Sequence, residues 1–126
     1  MEYYRELGWK GGWVVKILVV VLNETEKMED LLLELNDKGI HGGTIIDSMG
    51  MAKTLFDKNA GLPLFGSLKH ILNENKPVNK TLFMVLTEDK VTTAMDCVRK
   101  VIPNLNDENV GIMFTLPVDQ AEGLTK

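Results

Sequence analysis

Residues 80–117, KTLFMVLTEDKVTTAMDCVRKVIPNLNDENVGIMFTLP, decide the fold. Leu82 to Leu86 is continuously apolar, and Thr87 stands where a helix N-cap belongs, with Glu88 and Asp89 next at the positive end of the helix dipole. Val91, Ala94, Met95, Val98, Val101 and Ile102 then recur at helical spacing and form one inner face. Pro103 ends that helix, Asn104 to Asn109 turns, and Gly111 to Leu116 is a second apolar run closed by Pro117. The unit reads strand, helix, strand.

The same order occurs once before, from Trp13 through Met49. Val14, Leu18, Val20 and Leu22 fall on one face of its first strand and Val15, Ile17, Val19 and Val21 on the other, so both faces are apolar except at Lys16. Asn23 and Thr25 are candidate N-caps for a helix that carries Met28, Leu31, Leu32 and Leu35 at i, i+3, i+4 and i+7, and Gly39 stops it. Thr44 to Met49 is the second strand, ending at Gly50. Two such units predict an α+β, ferredoxin-like βαββαβ sandwich. That architecture hosts many functions, so function must be read from the residues placed on it.

At 126 residues the chain is one domain long, expected over residues 13–126 behind an aromatic, glycine-containing arm at 1–12 that holds Tyr3, Tyr4, Leu7 and Trp9. A hydrophobic fraction of 44% and a charged fraction of 25% place it among ordinary globular domains, and a formal net charge of -4 argues against non-specific nucleic-acid binding. Cys97 is the single cysteine, so no disulfide forms within the chain; its place beside the inner face of the second helix reads as a small buried hydrophobe. The longest apolar run, Ile17 to Leu22, is far below the roughly 20 residues that span a bilayer, and no signal peptide precedes it, so a cytoplasmic protein is expected.

A four-stranded sheet of this type carries both helices on one face and leaves the other bare. The two strands expected at its centre are apolar on both sides, and monomers rarely expose a contiguous apolar patch beyond a few hundred Å². A closed homo-oligomer that buries this face is the expectation.

Between the two units, Gly50 to Asn79 is long for a connection in a compact domain, which marks it as functional or disordered. Leu64, Leu68, Ile71 and Leu72 have helical spacing with Phe65 beside them, between Pro63 and Pro77, and predict a short extra helix inside this central loop. Met49 to Asn59 is the stretch expected to respond to a ligand or touch a partner. His41 and His70 lack the spacing and the second cysteine that a metal site needs, so no metal is expected. No nucleophile with a partnered base, phosphate-loop lysine motif or dinucleotide fingerprint is present. Asp47 and Ser48 read as polar positions on a sheet edge, and no enzyme activity is expected.

Gly39-Ile40-His41-Gly42-Gly43-Thr44 leading to Asp47-Ser48-Met49-Gly50, then Leu86-Thr87-Glu88-Asp89, then Gly111 through Val118, resembles in order the PII (nitrogen regulatory protein P-II) signalling family. The resemblance runs from Lys16 to about Gly123. It implies a cytoplasmic homotrimer, with no cofactor, that binds a small effector between subunits, with an adenine nucleotide as the candidate. It also implies that the central loop controls a partner such as a membrane transporter. Matched to the family's motifs, the effector-binding residues would be Gly42 and Thr44 near the adenine, Gly50 at the base of the loop, Lys53, and Gly111 beside the phosphates. Met51, Lys53, Phe56, Lys58 and Phe65 would belong to the partner-binding loop. The sequence departs from the family where the lysine-containing phosphate loop is replaced by Asn104 to Asn109 with Ile112 at the lysine position, and where Gly123 and Thr125 replace a C-terminal pair of arginines. The alternative is a likeness in architecture to CutA-type trimers, which implies a metal ion or another small ligand instead.

Overall fold

The computed structural model describes residues 14–51 and 79–124. The expected arm at 1–12 and the helix expected around 64–72 lie outside the described residues, so neither is placed here. In chain order the elements are β1 (Val15–Leu22), α1 (Lys27–Asp37), β2 (Thr44–Ser48), β3 (Asn79–Thr87), α2 (Glu88–Val101) and β4 (Gly111–Pro117). The strands form one antiparallel sheet in the order β2-β3-β1-β4, as the ferredoxin-like expectation requires.

The alternation within β1 and β3 explains the layering. Leu18, Val20 and Leu22 of β1 and Leu82, Met84 and Leu86 of β3 point to the helices, where they are buried with Met28, Leu31 and Leu35 of α1 and Val91, Ala94, Cys97 and Val98 of α2. Leu18, Leu31, Ala94 and Val98 have no exposed surface at all. Lys100 Nζ lies 2.9 Å from Glu34 Oε1 and ties the two helices on their outer side; the bond to that carboxylate holds the ammonium pKa above its usual value.

Several local expectations need correction. Val14 does not join the core face; β1 begins at Val15, and Val14 is exposed while its carbonyl accepts a 3.1 Å bond from the Glu88 N–H. Neither Asn23 nor Thr25 caps α1, whose N-cap position is Glu26 in helical geometry. Asn23 is instead drawn to the far side of the sheet end, where its own N–H donates to the Val110 carbonyl at 3.0 Å. Thr87 does occupy the N-cap position of α2, but its hydroxyl donates to Asp89 Oδ1 at 2.7 Å and caps no backbone N–H. β2 stops at Ser48, one residue earlier than expected. Gly39 ends α1 as expected, at φ +79°.

Gly111 opens β4, paired with Leu22 of β1. A Cβ there would overlap the Val21 carbonyl oxygen and also meet Leu22 Cδ2 at 3.1 Å, so backbone contact alone demands glycine. Two stability changes follow. Leu18→Ala, which empties the centre of the core, lowers unfolding free energy by about 2–5 kcal/mol. Gly111→Ala destabilises through that clash although it adds only a methyl group. Urea unfolding of the two variants against wild type measures both.

Candidate functional site

Two ends of the sheet hold the residues singled out by the sequence. At the end where β1 begins and β3 finishes, a cleft of about 1060 Å³ opens between the α1–β2 connection, the C-terminal half of β3 and the first turn of α2. Gly42 and Thr44 line it, with His41, Val85, Glu88 and Leu124 among the other walls. The connection bends sharply because Gly39 adopts a left-handed conformation and Gly43 lies flat on the sheet, where an added Cβ would sit 3.0 Å from both Leu82 and Met84 side chains. His41 is exposed, with Nδ1 2.8 Å from Asn36 Oδ1.

The polar wall of the cleft carries both charges, Glu88 and Asp89 beside Lys90, with His41 across from them, and the two carboxylates are already partnered. Glu88 Oε1 lies 3.4 Å from Lys16 Nζ. The Thr87 hydroxyl bond holds the Asp89 carboxyl below the usual carboxylate range, outweighing the cost of desolvation. Stability from this shift is present above the ordinary carboxylate pKa and fades as the pH falls through the lowered value. The neighbouring walls are apolar, from Val15, Met84, Val85 and Leu86. Such a lining offers apolar walls to a flat group and polar side chains of both charges at its edge.

At the opposite end of the sheet stand Gly50 and Gly111. Gly50 packs beside Asn79, where an added Cβ would meet Nδ2 at 3.4 Å. Gly111 lies on the other edge strand, because the ladder row runs Asp47–Lys80–Leu22–Gly111 across the full sheet. Three strand spacings separate its ends, about 14 Å. One chain thus brings Gly42 together with Thr44 and keeps Gly50 and Gly111 apart from them and from each other. Met51 is 78% exposed; Lys53, Phe56, Lys58 and Phe65 lie outside the described residues.

The same end holds a group that the sequence did not suggest. Asn79 is the only buried polar side chain among the described residues, 5% exposed. The Ser48 hydroxyl donates to its Oδ1 and lies 2.8 Å from Thr81 Oγ1, while Asn79 Nδ2 approaches Asn23 Oδ1 at 3.5 Å. Asn23 Nδ2 in turn donates to the Asn109 carbonyl at 2.6 Å. Asn79, two residues after Pro77, reads in sequence as a loop residue, and Asn23 as a helix cap. Only the pairing of Ser48 with Asn79 across β2 and β3 could have joined them.

Asp47 Oδ1 is occupied by Lys80 Nζ at 3.0 Å, which accounts for it as an edge polar residue. Cys97 is buried as expected, and burial first, then the Glu34 charge, pushes its thiol pKa up. Among the described residues no three His, Cys, Asp or Glu side chains converge into a metal-binding group, and no helix is long and apolar enough to cross a membrane.

The strand order and the two helices on one face of the sheet define a ferredoxin-like fold. No protein-family model matches the sequence, and no curated protein does either. Among solved structures it is similar to the PII protein of Arabidopsis thaliana in a crystal structure bound to citrate. There the identity is 17% and the TM-score 0.56, over 87% of this chain and 82% of that one. It is also similar to a functionally unknown protein from Pediococcus pentosaceus, at 13% identity and TM-score 0.56, over 90% of this chain and 100% of that one. Likeness at these identities shows the shared fold.

Two outcomes are expected from the local chemistry. Thr87→Val removes the hydroxyl donor and moves the Asp89 carboxyl pKa upward in an NMR titration. Cys97 reacts with a thiol reagent at neutral pH only after unfolding. Because its folded pKa is raised, its contribution to stability is complete below the unfolded thiol value and is lost as pH rises through the folded one.

Proposed function

We propose that this chain is a PII-like regulatory protein: a non-enzymatic homotrimer that binds a small effector between subunits and controls a partner through the segment 50–79. The observation that carries the reading is the sheet face opposite the helices. Ile17, Val19 and Val21 of β1, Phe83 and Val85 of β3, Ile112, Phe114 and Leu116 of β4 and Ile46 of β2 share that face, as their ladder partners require. Ile112 is 55% exposed and Phe114 41%. No described element covers them. Further copies of the same surface, arranged about a symmetry axis, bury such a face without leaving an open end.

The separation of the candidate residues supports the same reading. Gly42 and Thr44 stand at one end of the sheet, Gly50 and Gly111 at the other, so a site using both pairs draws them from two copies. The effector class follows from charge. From Ile102 through Leu124 there is no Lys, Arg or His, while Asp107, Glu108, Asp119 and Glu122 are present. Whichever copy supplies this stretch supplies only negative charge, which opposes a triphosphate. An adenine nucleotide with few phosphates is therefore the preferred effector. An effector that binds one arrangement of the segment 50–79 better than another shifts the population between them, and its differential affinity sets the size of the response. The controlled partner is a membrane transporter or another regulated protein, on the strength of the resemblance.

Light scattering at micromolar concentration is expected to return three times the 14.1 kDa chain mass. Phe114→Glu, which places a charge on the shared face, reduces it to the monomer mass. A wild-type monomer would overturn the assembly. In calorimetric titration AMP or a cyclic nucleotide binds near one per subunit and more tightly than ATP, and Gly42→Val weakens that binding at least about tenfold, or 1.4 kcal/mol. Absence of binding across the panel would remove adenine nucleotides as effectors.

A further inference from the structure

The hydrogen-bonded chain from Ser48 through Asn79 to Asn23 crosses the sheet end from one edge toward the other. We propose that this chain is a coupling relay, by which the root of the segment 49–78 and the turn between α2 and β4 sense each other's state. The proposal concerns a single chain and stands independently of any effector.

Direction and burial carry it. The Ser48 hydroxyl gives its one proton to Asn79 Oδ1, so the 2.8 Å contact with Thr81 is a bond that Ser48 accepts. Asn79 Nδ2 then points to Asn23 Oδ1, and Asn23 Nδ2 to the Asn109 carbonyl. From Ser48 through Asn79 and Asn23 to Asn109 each donor faces away from β2, and the Thr81 hydroxyl joins as a branch that donates into Ser48. Aligned hydrogen bonds of this kind polarise one another, and a break at one joint weakens the rest. Asn79 is buried, so losing a partner leaves an amide group with no water to replace it.

Both ends of the relay sit where a strand ends or a turn begins. Ser48 is the last residue of β2, and Asn79 the first of β3, so the two anchor the segment between them. At the other end Asn109 holds φ at +62°, a conformation that side chains other than glycine adopt sparingly. Its carbonyl is fixed by Asn23, and the next residue, Val110, accepts the Asn23 N–H at 3.0 Å. Gly111 follows directly, pressed against the Val21 carbonyl and 3.3 Å from Leu105 at an added Cβ. A shift of Asn109 is therefore transmitted to the start of β4. The coupling is reciprocal: whatever withdraws Ser48 loosens the turn, and whatever displaces the turn loosens the root.

Amide hydrogen exchange on the full-length protein tests this. Ser48→Ala is expected to speed exchange of the Asn23 N–H by about fivefold or more, although β3 lies between Ser48 and β1, with the amides of Leu18 and Val20 unchanged; side chains sharing one network couple on this scale. Ser48→Thr, which restores the hydroxyl, returns the rate to wild type. Asp47→Ala, which breaks the adjacent Lys80 ion pair on the same strand, leaves it unaltered. An Asn23 rate unmoved by Ser48→Ala, or moved equally by Asp47→Ala, overturns the relay. Unfolding by urea gives an independent reading: Ser48→Ala and Asn23→Ala should be non-additive by at least about threefold in the unfolding constant. Strict additivity would also overturn it.

Discussion

The structure depends on β1 being apolar on both faces and paired on both edges. Its register with β3 and β4 places Leu18, Val20 and Leu22 under the helices and Ile17, Val19 and Val21 on the opposite side. A slip of one residue would exchange these sets. It would also put Lys16 among the residues of the open face and break its contact with Glu88. The two-sided apolar character of this one strand thus fixes the core, leaves an apolar face opposite the helices and positions the first turn of α2 beside the cleft.

The elements readable in advance were those governed by periodicity. Leu82 to Leu86, the spacing from Val91 to Ile102, and the run from Gly111 to Leu116 each state their structure through apolar placement, and the sheet order follows from repeating the unit twice. Capping was read less well. Asn23 and Thr25 have the chemistry of N-caps, and nothing local reveals that Asn23 is claimed by Asn109, 86 positions away. Tertiary competition for a short polar side chain leaves no mark in a helical window.

The candidate site divides along the same line. Gly42 and Thr44 could be placed at a strand entrance from the Gly39 turn, and they do line one cleft. That Gly111 stands across the sheet from β2 follows only from the strand order. Its glycine identity has a sufficient cause in the approach of β4 to Val21, so a ligand is not needed to explain it. Asn79 escaped notice because its neighbours Pro77 and Asn75 have the composition of a connection, whereas its burial comes from packing at the sheet end.

Ser48 and Asn79 are partners in the ladder, so the chain leaves the sheet and re-enters it at the same point. Closing a loop between fixed neighbours becomes harder only logarithmically with its length, by roughly 0.6 kcal/mol per doubling. The residues from Met49 to Val78 can therefore be lengthened, shortened or exchanged with little effect on the rest of the domain. A scaffold with this property can vary by insertion and deletion at one locus, while its core and its open sheet face evolve under separate constraints.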